Sequence, residues 1–389
     1  MRTTLKDQAA IVGIGATEFS KNSGRSELQL AAEAVRNALD DCGLKPGDVD
    51  GMTTFTLDTS DDIEVARAVG IGDLTLFSRV PHGGGAATGL LHQAAMAIAT
   101  GVAEVVVCYR ALNGRSGQRY SEGVGGTVTT SDLIHWGWYI PYGLLTPASW
   151  VAMFTQRYMH EYGLTTRDLA QVAVSTRKHA VTNPNAFFYG KPLTIEEHQS
   201  SRWIVEPLHL FDCCQETDGG CAVVVTTPER ARDLKQPPAM IRGVAQAAGA
   251  EQEVMTSFYR PDIAALPEMD LVAKQVYAQS GLGPDDIDAA VIYDAFSPII
   301  LWQLESFGFC KPGESKDFIK NGNLEVGGRL PSNTHGGQLS EAYIHGVNGI
   351  NEGVRLIRGT SVNQPRKSDH VLVTSGVGIP TSAMILGKA

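Results

Sequence analysis

Short apolar runs along the chain alternate with longer segments in which apolar side chains return every third or fourth position. Ala9 to Ile14 is such a run and predicts a buried strand, left through a loop at Gly15 to Phe19. Leu28, Ala32, Val35 and Leu39 mark one face of a helix that Ser26 caps and Gly43 ends, ahead of a strand at Gly51 to Phe55. Gly83, Gly84 and Gly85 open an alanine-rich helix over Leu90 to Ala99, closed by Gly101 and followed by the strand Val105 to Cys108. The phrase Gly43-Leu44-Lys45-Pro46-Gly47-Asp48-Val49-Asp50 returns as Gly281-Leu282-Gly283-Pro284-Asp285-Asp286-Ile287-Asp288. It again stands between an amphipathic run (Leu271, Val272, Val276, Tyr277) and a strand, here Ala290 to Tyr293. Gly336 and Gly337 likewise open a segment closed near Gly359, before the strand Val371 to Thr374. A recurrence at this separation is too distant for a solenoid and predicts two homologous halves. Each half reads helix, strand, glycine loop, helix, strand. Right-handed crossovers would arrange these as two mostly parallel sheets covered by helices, a layered α/β fold with an internal pseudo-two-fold.

Between the halves, Asn113 to Leu208 carries an aromatic cluster that includes Trp136, Trp138, Tyr142, Phe154 and Tyr158. Most of it is expected to be a satellite core, and it could also wall a large apolar pocket. The glycine-rich stretch from Glu122 to Ser131 is expected to be a mobile loop, since no helix start with a lysine follows it.

Composition narrows the function. A chain of 389 residues, 43% hydrophobic, can bury a large core, while a net charge of -10 gives no basic face for nucleic acid or an anionic membrane. The six cysteines show no C-x-x-C spacing and are expected to be reduced and mostly buried. The run Ala9 to Gly15 is too short and glycine-broken for a signal or spanning helix, so a cytoplasmic protein without a membrane span is expected. Gly13-x-Gly15 lacks the third glycine and the prompt helix of a dinucleotide turn.

Polar groups crowd into Leu330 to Gly349, L-P-S-N-T-H-G-G-Q-L-S-E-A-Y-I-H-G-V-N-G, read as a loop running into a helix at Leu339 to Ile344. Gly336 and Gly337 let another backbone or a ligand come close, with His335 and Tyr343 on either side of that approach. Taken alone, the stretch is equally a loop with one buried tyrosine and two surface histidines. Ala289 to Pro298 adds a second signal: an apolar strand ends in Tyr293-Asp294-Ala295-Phe296, and polar groups at the carboxyl end of a buried strand face a crevice.

Together with the Asn183-Pro184-Asn185-Ala186 turn, the Asp212-Cys213-Cys214-Gln215-Glu216-Thr217-Asp218-Gly219 phrase and the duplicated halves, these stretches resemble the thiolase superfamily over nearly the whole chain. More narrowly, they resemble its sterol-carrier-protein-X-like, lipid-transfer branch. The resemblance implies a thiolase fold, two pseudo-two-fold halves in an αβαβα stack with a loop-domain insertion. Residues 1–112 would begin the N-terminal half, 113–208 form the loop or lid insertion, 209–238 complete that half, and 239–389 form the C-terminal half.

The departures from that pattern carry the functional reading. The turn that holds the nucleophilic cysteine of thiolases is here Pro81-His82-Gly83-Gly84-Gly85, and the turn of their second cysteine is Thr374-Ser375-Gly376-Val377-Gly378. Neither has a thiol, so an acyl-enzyme route has no obvious nucleophile. Tyr293 stands where the family has an oxyanion-hole amide, and Tyr343 where it has a histidine. A phenol can donate to a developing enolate and exchange a proton with a hydroxyl, which suits retro-aldol cleavage without a covalent intermediate. The missing cysteines and altered motifs resemble the actinobacterial steroid side-chain-cleaving aldolases. That family cleaves a β-hydroxyacyl-CoA side chain to a steroid ketone and propionyl-CoA.

The resemblance then implies Tyr293 and Tyr343 as catalytic residues with Asp294 and His335 orienting or polarising them, and His82, Gly84, Gly336 and Gly337 at the substrate. It implies a homodimer that works with a small OB-fold, zinc-ribbon partner binding the acyl-CoA. Zinc would belong to that partner, and no cofactor is expected in this chain beyond the CoA thioester it acts on. Three alternatives stay open: tyrosines that only fill space, a non-catalytic lipid-binding protein, and an acyltransferase or ketoacyl synthase using Ser375 or His82.

Overall fold

The computed structural model describes residues 5–81, 83–123, 136–250, 252–376 and 381–389. In chain order the strands are β1 (Ala10–Ala16), β2 (Gly51–Phe55), β3 (Leu76–Val80), β4 (Val105–Asn113), β5 (Trp203–Val205), β6 (Leu208–His209), β7 (Asp218–Thr226), β8 (Ala239–Ala247), β9 (Ala289–Val291), β10 (His370–Gly376) and β11 (Thr381–Lys388). Nine of them pair in the order β3-β2-β4-β7-β1-β8-β11-β10-β9, while β5 and β6 form a separate ribbon. Outward from the β1–β8 junction, β7, β4 and β2 on one side answer to β11, β10 and β9 on the other, which is the predicted duplication. The junction is short, Ala10 opposite Met240 and Ile11 opposite Ala239.

The expectation of two mostly parallel sheets does not hold. Among the described residues only β2–β3, β2–β4 and β9–β10 are parallel strand pairs; the pairs made by β7, β1, β8 and β11 are antiparallel. The physical reason is connection type. Helical crossovers demand parallel neighbours, whereas β10 returns directly into β11 and β7 comes back from the long insertion.

Strand alternation sorts side chains into layers. Val105 and Val107 pack with the helix Glu27–Cys42 in an outer core, whereas Val106 and Cys108 face an inner core. The inner core holds Leu90, Leu91 and Ala94 of the helix Ala87–Thr100 together with Ile350 and Val354 of the helix Val347–Arg358. Leu372 points to the third core with Val272 and Val276 of the helix Pro267–Ser280, and Val371 and Val373 point inward. Three cores separated by two halves of sheet make an αβαβα stack. Burial on both faces explains why these strands read as unbroken apolar runs.

Phe154 and Tyr158, on the helix Pro147–Tyr162 of the insertion, join the third core rather than a separate satellite cluster, while Trp138, Tyr142 and Tyr189 are exposed. The glycine-rich loop reading falls mostly on residues 124–131 and so lies outside the described residues. All six cysteines are free. Among the described residues no helix is long and apolar enough to cross a membrane.

Local signals in the first helix hold to the residue. Ser26 Oγ accepts from Gln29 N at 3.2 Å, Gln29 Oε1 accepts from Ser26 N at 2.8 Å, and Gly43 ends the helix at φ 80°. Replacing Ser26 by Ala is expected to lower stability by about 1 kcal/mol, seen as a lower urea midpoint at unchanged slope.

Candidate active site

Tyr293 lies two residues beyond β9, where the chain leaves the sheet. Its N–H donates to Thr374 Oγ1 at 3.0 Å and its carbonyl accepts from Gln303 Nε2 at 2.8 Å, so the backbone is tied both to β10 and to the helix Ser297–Ser306. Tyr343 is tied through its N–H to Thr217 Oγ1 at 2.9 Å. The two phenol hydroxyls share a hydrogen bond of 3.2 Å. Both rings line a cleft of about 360 Å³ whose walls include Leu57, Trp150, Met255 and Phe296, with Glu27, Asn113 and Arg119 supplying polar groups. Burial pushes both phenols well above their ordinary pKa, so both are neutral hydroxyls at physiological pH.

Glycines make room for this pair. A Cβ on Gly84 would overlap the Tyr293 hydroxyl, and a Cβ on Gly83 would stand 3.2 Å from His345 Nε2. Gly84 lies on the cleft wall, with the phenol filling the space that its missing side chain leaves. His82 lies outside the described residues.

Gly336 and Gly337 are placed differently from the expectation. Both have left-handed backbones, φ 113° and 61°, and neither lines the cleft. The close approach that they permit is by protein: Gly336 meets Ala180, and a Cβ on Gly337 would overlap the Asp294 carboxylate. Asp294 is fully buried and accepts from the N–H groups of Gln338 at 2.7 Å and Leu339 at 3.4 Å. It thus holds a single π-helical turn, Gly337–Glu341, in place under Tyr343. Desolvation raises Asp294 to about 7 against the opposing effect of those N–H groups.

The helix expected at Leu339 to Ile344 is absent. After the π turn, Ala342 is extended, His345 and Gly346 are left-handed at φ 49° and 89°, and the helix begins only at Val347. A run of buried polar anchors prevails here over apolar periodicity.

His335 is buried behind this segment, off the cleft, and neither ring nitrogen has a hydrogen-bond partner. Burial, Arg355 and His179 lower it to about 3, leaving it neutral. Its Nε2 is 3.8 Å from Glu341 Oε2, and Glu341 is itself raised to about 8 by burial, so this is a contact of two neutral groups rather than an ion pair. Asn183 and Asn348 donate to Glu341 at 3.1 and 2.9 Å.

Ser375, the alternative nucleophile, is fully buried off the cleft; its Oγ accepts from Thr88 N at 3.2 Å. No cysteine lines the cleft, and burial raises Cys108 to about 12 and pushes Cys213 and Cys214 up as well. Among the described residues no group of three or more His, Cys, Asp or Glu is arranged to hold a metal.

Sequence reasoning missed His345, Arg110 and Tyr120, all on the cleft. His345 was legible only as a histidine before a glycine in the polar stretch. Arg110 and Tyr120 carry no local signal, because β4 and the chain after it meet the site only in the fold.

Gly84→Ala is expected to displace the Tyr293 ring and lower turnover at least as far as loss of its hydroxyl, with the fold retained by circular dichroism. Glu341 makes a stability prediction. The folded state keeps its proton to about pH 8 while the unfolded chain releases it near the ordinary glutamate value, so between these limits rising pH favours unfolding. The stability of Glu341→Gln relative to the parent, read from denaturation midpoints, should therefore rise across that window.

A family described as thiolase C-terminal domain-like matches residues 249–388. The chain is 64% identical over 387 residues to the steroid side-chain-cleaving aldolase of Thermomonospora curvata, covering 99% of each. It is 61% identical over 385 residues to the 17-hydroxy-3-oxo-4-pregnene-20-carboxyl-CoA lyase of Mycobacterium tuberculosis, covering 98% of this chain and 100% of that one. A solved Ltp2-ChsH2(DUF35) aldolase superposes with a TM-score of 0.96 at 64% identity over 99% of both chains. The SCP2-thiolase like protein type 1 of Mycobacterium smegmatis, at 21% identity, TM-score 0.75 and coverage of 98% and 78%, shares the fold alone. The chain is thus an enzyme of the thiolase superfamily and belongs to the branch that holds the steroid side-chain-cleaving aldolases.

Proposed function

We propose that the enzyme cleaves the side chain of a steroid β-hydroxyacyl-CoA by a retro-aldol reaction, giving a steroid ketone and propionyl-CoA with no acyl-enzyme. The observation that carries this reading is the hydrogen-bonded Tyr293–Tyr343 pair, 3.2 Å between hydroxyls, in an apolar cleft that no thiol reaches. The names of the two relatives above 60% identity supply the substrate class.

The chemistry is internally balanced. The bond between the hydroxyl-bearing carbon and the α-carbon breaks, its electron pair passes into the thioester as an enolate, and the hydroxyl proton must end on the α-carbon. Two phenols with raised pKa are poor free bases, but a hydrogen-bonded pair can move a proton one place along. One phenol accepts the substrate proton as it gives its own to the other, which gives its own to the α-carbon. No free phenolate is needed. Asp294 fixes the π turn beneath Tyr343 and is a positioning residue in this scheme, and His335 backs the same turn through its 3.8 Å contact with Glu341.

We assign the insertion 113–208 to the lid wall of the cleft, through Pro147 and Trp150. The homodimer and a DUF35-type partner of OB-fold and zinc-ribbon build, with any zinc in the partner, belong to the same reading. The complex named in the solved aldolase supports the partner. The edge strand β3, with Phe77 61% exposed, supports an interface between copies. We place the assembly in the cytoplasm.

With the partner present, Tyr293→Phe and Tyr343→Phe should each keep the fold and CoA affinity while turnover falls by roughly two to four orders of magnitude. Ketone release from a steroid hydroxyacyl-CoA is the assay. Near-parental cleavage by both variants would reduce the phenols to filler, and a covalent acyl adduct on the intact protein would point to the acyltransferase alternative.

A further inference from the structure

A second polar tip reaches the cleft beside the tyrosines. His345 lines it next to Gly83, with Nε2 the ring atom nearest to that glycine, while Tyr293 Oη occupies the corresponding space at Gly84. Consecutive Cα atoms are about 3.8 Å apart, so imidazole and phenol flank one short piece of side-chain-free backbone.

The ring's proton position follows from its neighbour. Arg110 Nε donates to His345 Nδ1 at 3.0 Å, and a guanidinium can only donate, so Nδ1 presents a lone pair and Nε2 carries the hydrogen. Arg110 is itself held by an ion pair with Asp58, both 2% exposed or less on the side chain, and Thr54 Oγ1 donates to that carboxylate. Burial and the Arg110 charge keep the imidazole well below its usual pKa, hence neutral.

Packing fixes the ring plane, with Tyr343 edge-on at 4.8 Å and Tyr120 at 5.2 Å between centroids. The backbone holds His345 at φ 49°, a region that costs a side-chain-bearing residue energy and persists only where the surroundings enforce it. A strained, charge-locked, neutral imidazole aimed at a glycine floor is built to donate.

We infer that His345 is a catalytic residue whose Nε2–H donates to the substrate's thioester oxygen and holds the enolate that forms there. Arg110 is its positioning residue. The inference rests on the retro-aldol reading and adds to it the group that takes the developing charge, leaving the tyrosines to move the proton. His345 gives a hydrogen bond and no proton. When the α-carbon is protonated, the oxygen becomes a carbonyl again and the donor is unchanged.

The test uses the chain with its partner protein and three readouts: steroid hydroxyacyl-CoA cleavage, deuterium entry at the α-carbon of propionyl-CoA in D2O, and the ¹⁵N shifts of the histidine ring in the unmodified enzyme. His345→Phe should lower both cleavage kcat and exchange by roughly 10² to 10³-fold with KM changed only a few-fold, and His345→Gln, which keeps an N–H, should recover part of the loss. The ¹⁵N spectrum should show Nε2 protonated and Nδ1 bare at neutral pH. Parental exchange rates in both variants, an Nδ1–H tautomer or an imidazolium would overturn the assignment, and the ring spectrum decides it even where a variant does not fold. A parental enzyme that neither cleaves nor exchanges would instead remove the retro-aldol reading, and this inference with it.

Discussion

Everything at the cleft depends on the close approach between the Tyr293 hydroxyl and the Gly84 backbone, a contact that any side chain at position 84 would forbid. That approach puts the phenol against the turn before the helix Ala87–Thr100 and within 3.2 Å of the Tyr343 hydroxyl. The glycine floor leaves the volume that the phenol fills.

The buried groups around the pair serve placement. Asp294 holds the π turn, Thr374 and Gln303 hold the backbone of Tyr293, and Thr217 holds that of Tyr343. Arg110 and Asp58 reach the same cleft from the N-terminal half and fix His345. Polar groups from both halves thus converge on a largely apolar crevice, where hydrogen bonds gain strength and the phenols and imidazole stay neutral. Such a site favours proton shifts between neutral groups over the formation of a free nucleophilic anion.

Much of this was legible in the chain. Ser26 and Gly43 bounded the first helix, the repeated Gly-Leu-x-Pro phrase exposed the duplication, and Tyr293 and Tyr343 stood out as polar interruptions of apolar stretches. Strand direction was not legible, because β1, β7, β8 and β11 pair through contacts remote in sequence. Nor was the use of Gly336 and Gly337. A glycine pair announces a close approach without saying by what, and here the visitors are Ala180 and Asp294. Arg110 reads as one residue in a buried strand, and only the ring 235 positions away gives it meaning.

A proton carried along two neutral phenols puts more than one proton in flight during carbon–carbon cleavage. Single-turnover cleavage by the assembled enzyme in mixtures of H2O and D2O should give a rate that curves downward with deuterium fraction, as several coupled transfers require. The Tyr343→Phe enzyme should give a straight line. A straight line for the parental enzyme, with one proton moving in the rate-limiting step, would contradict the relay.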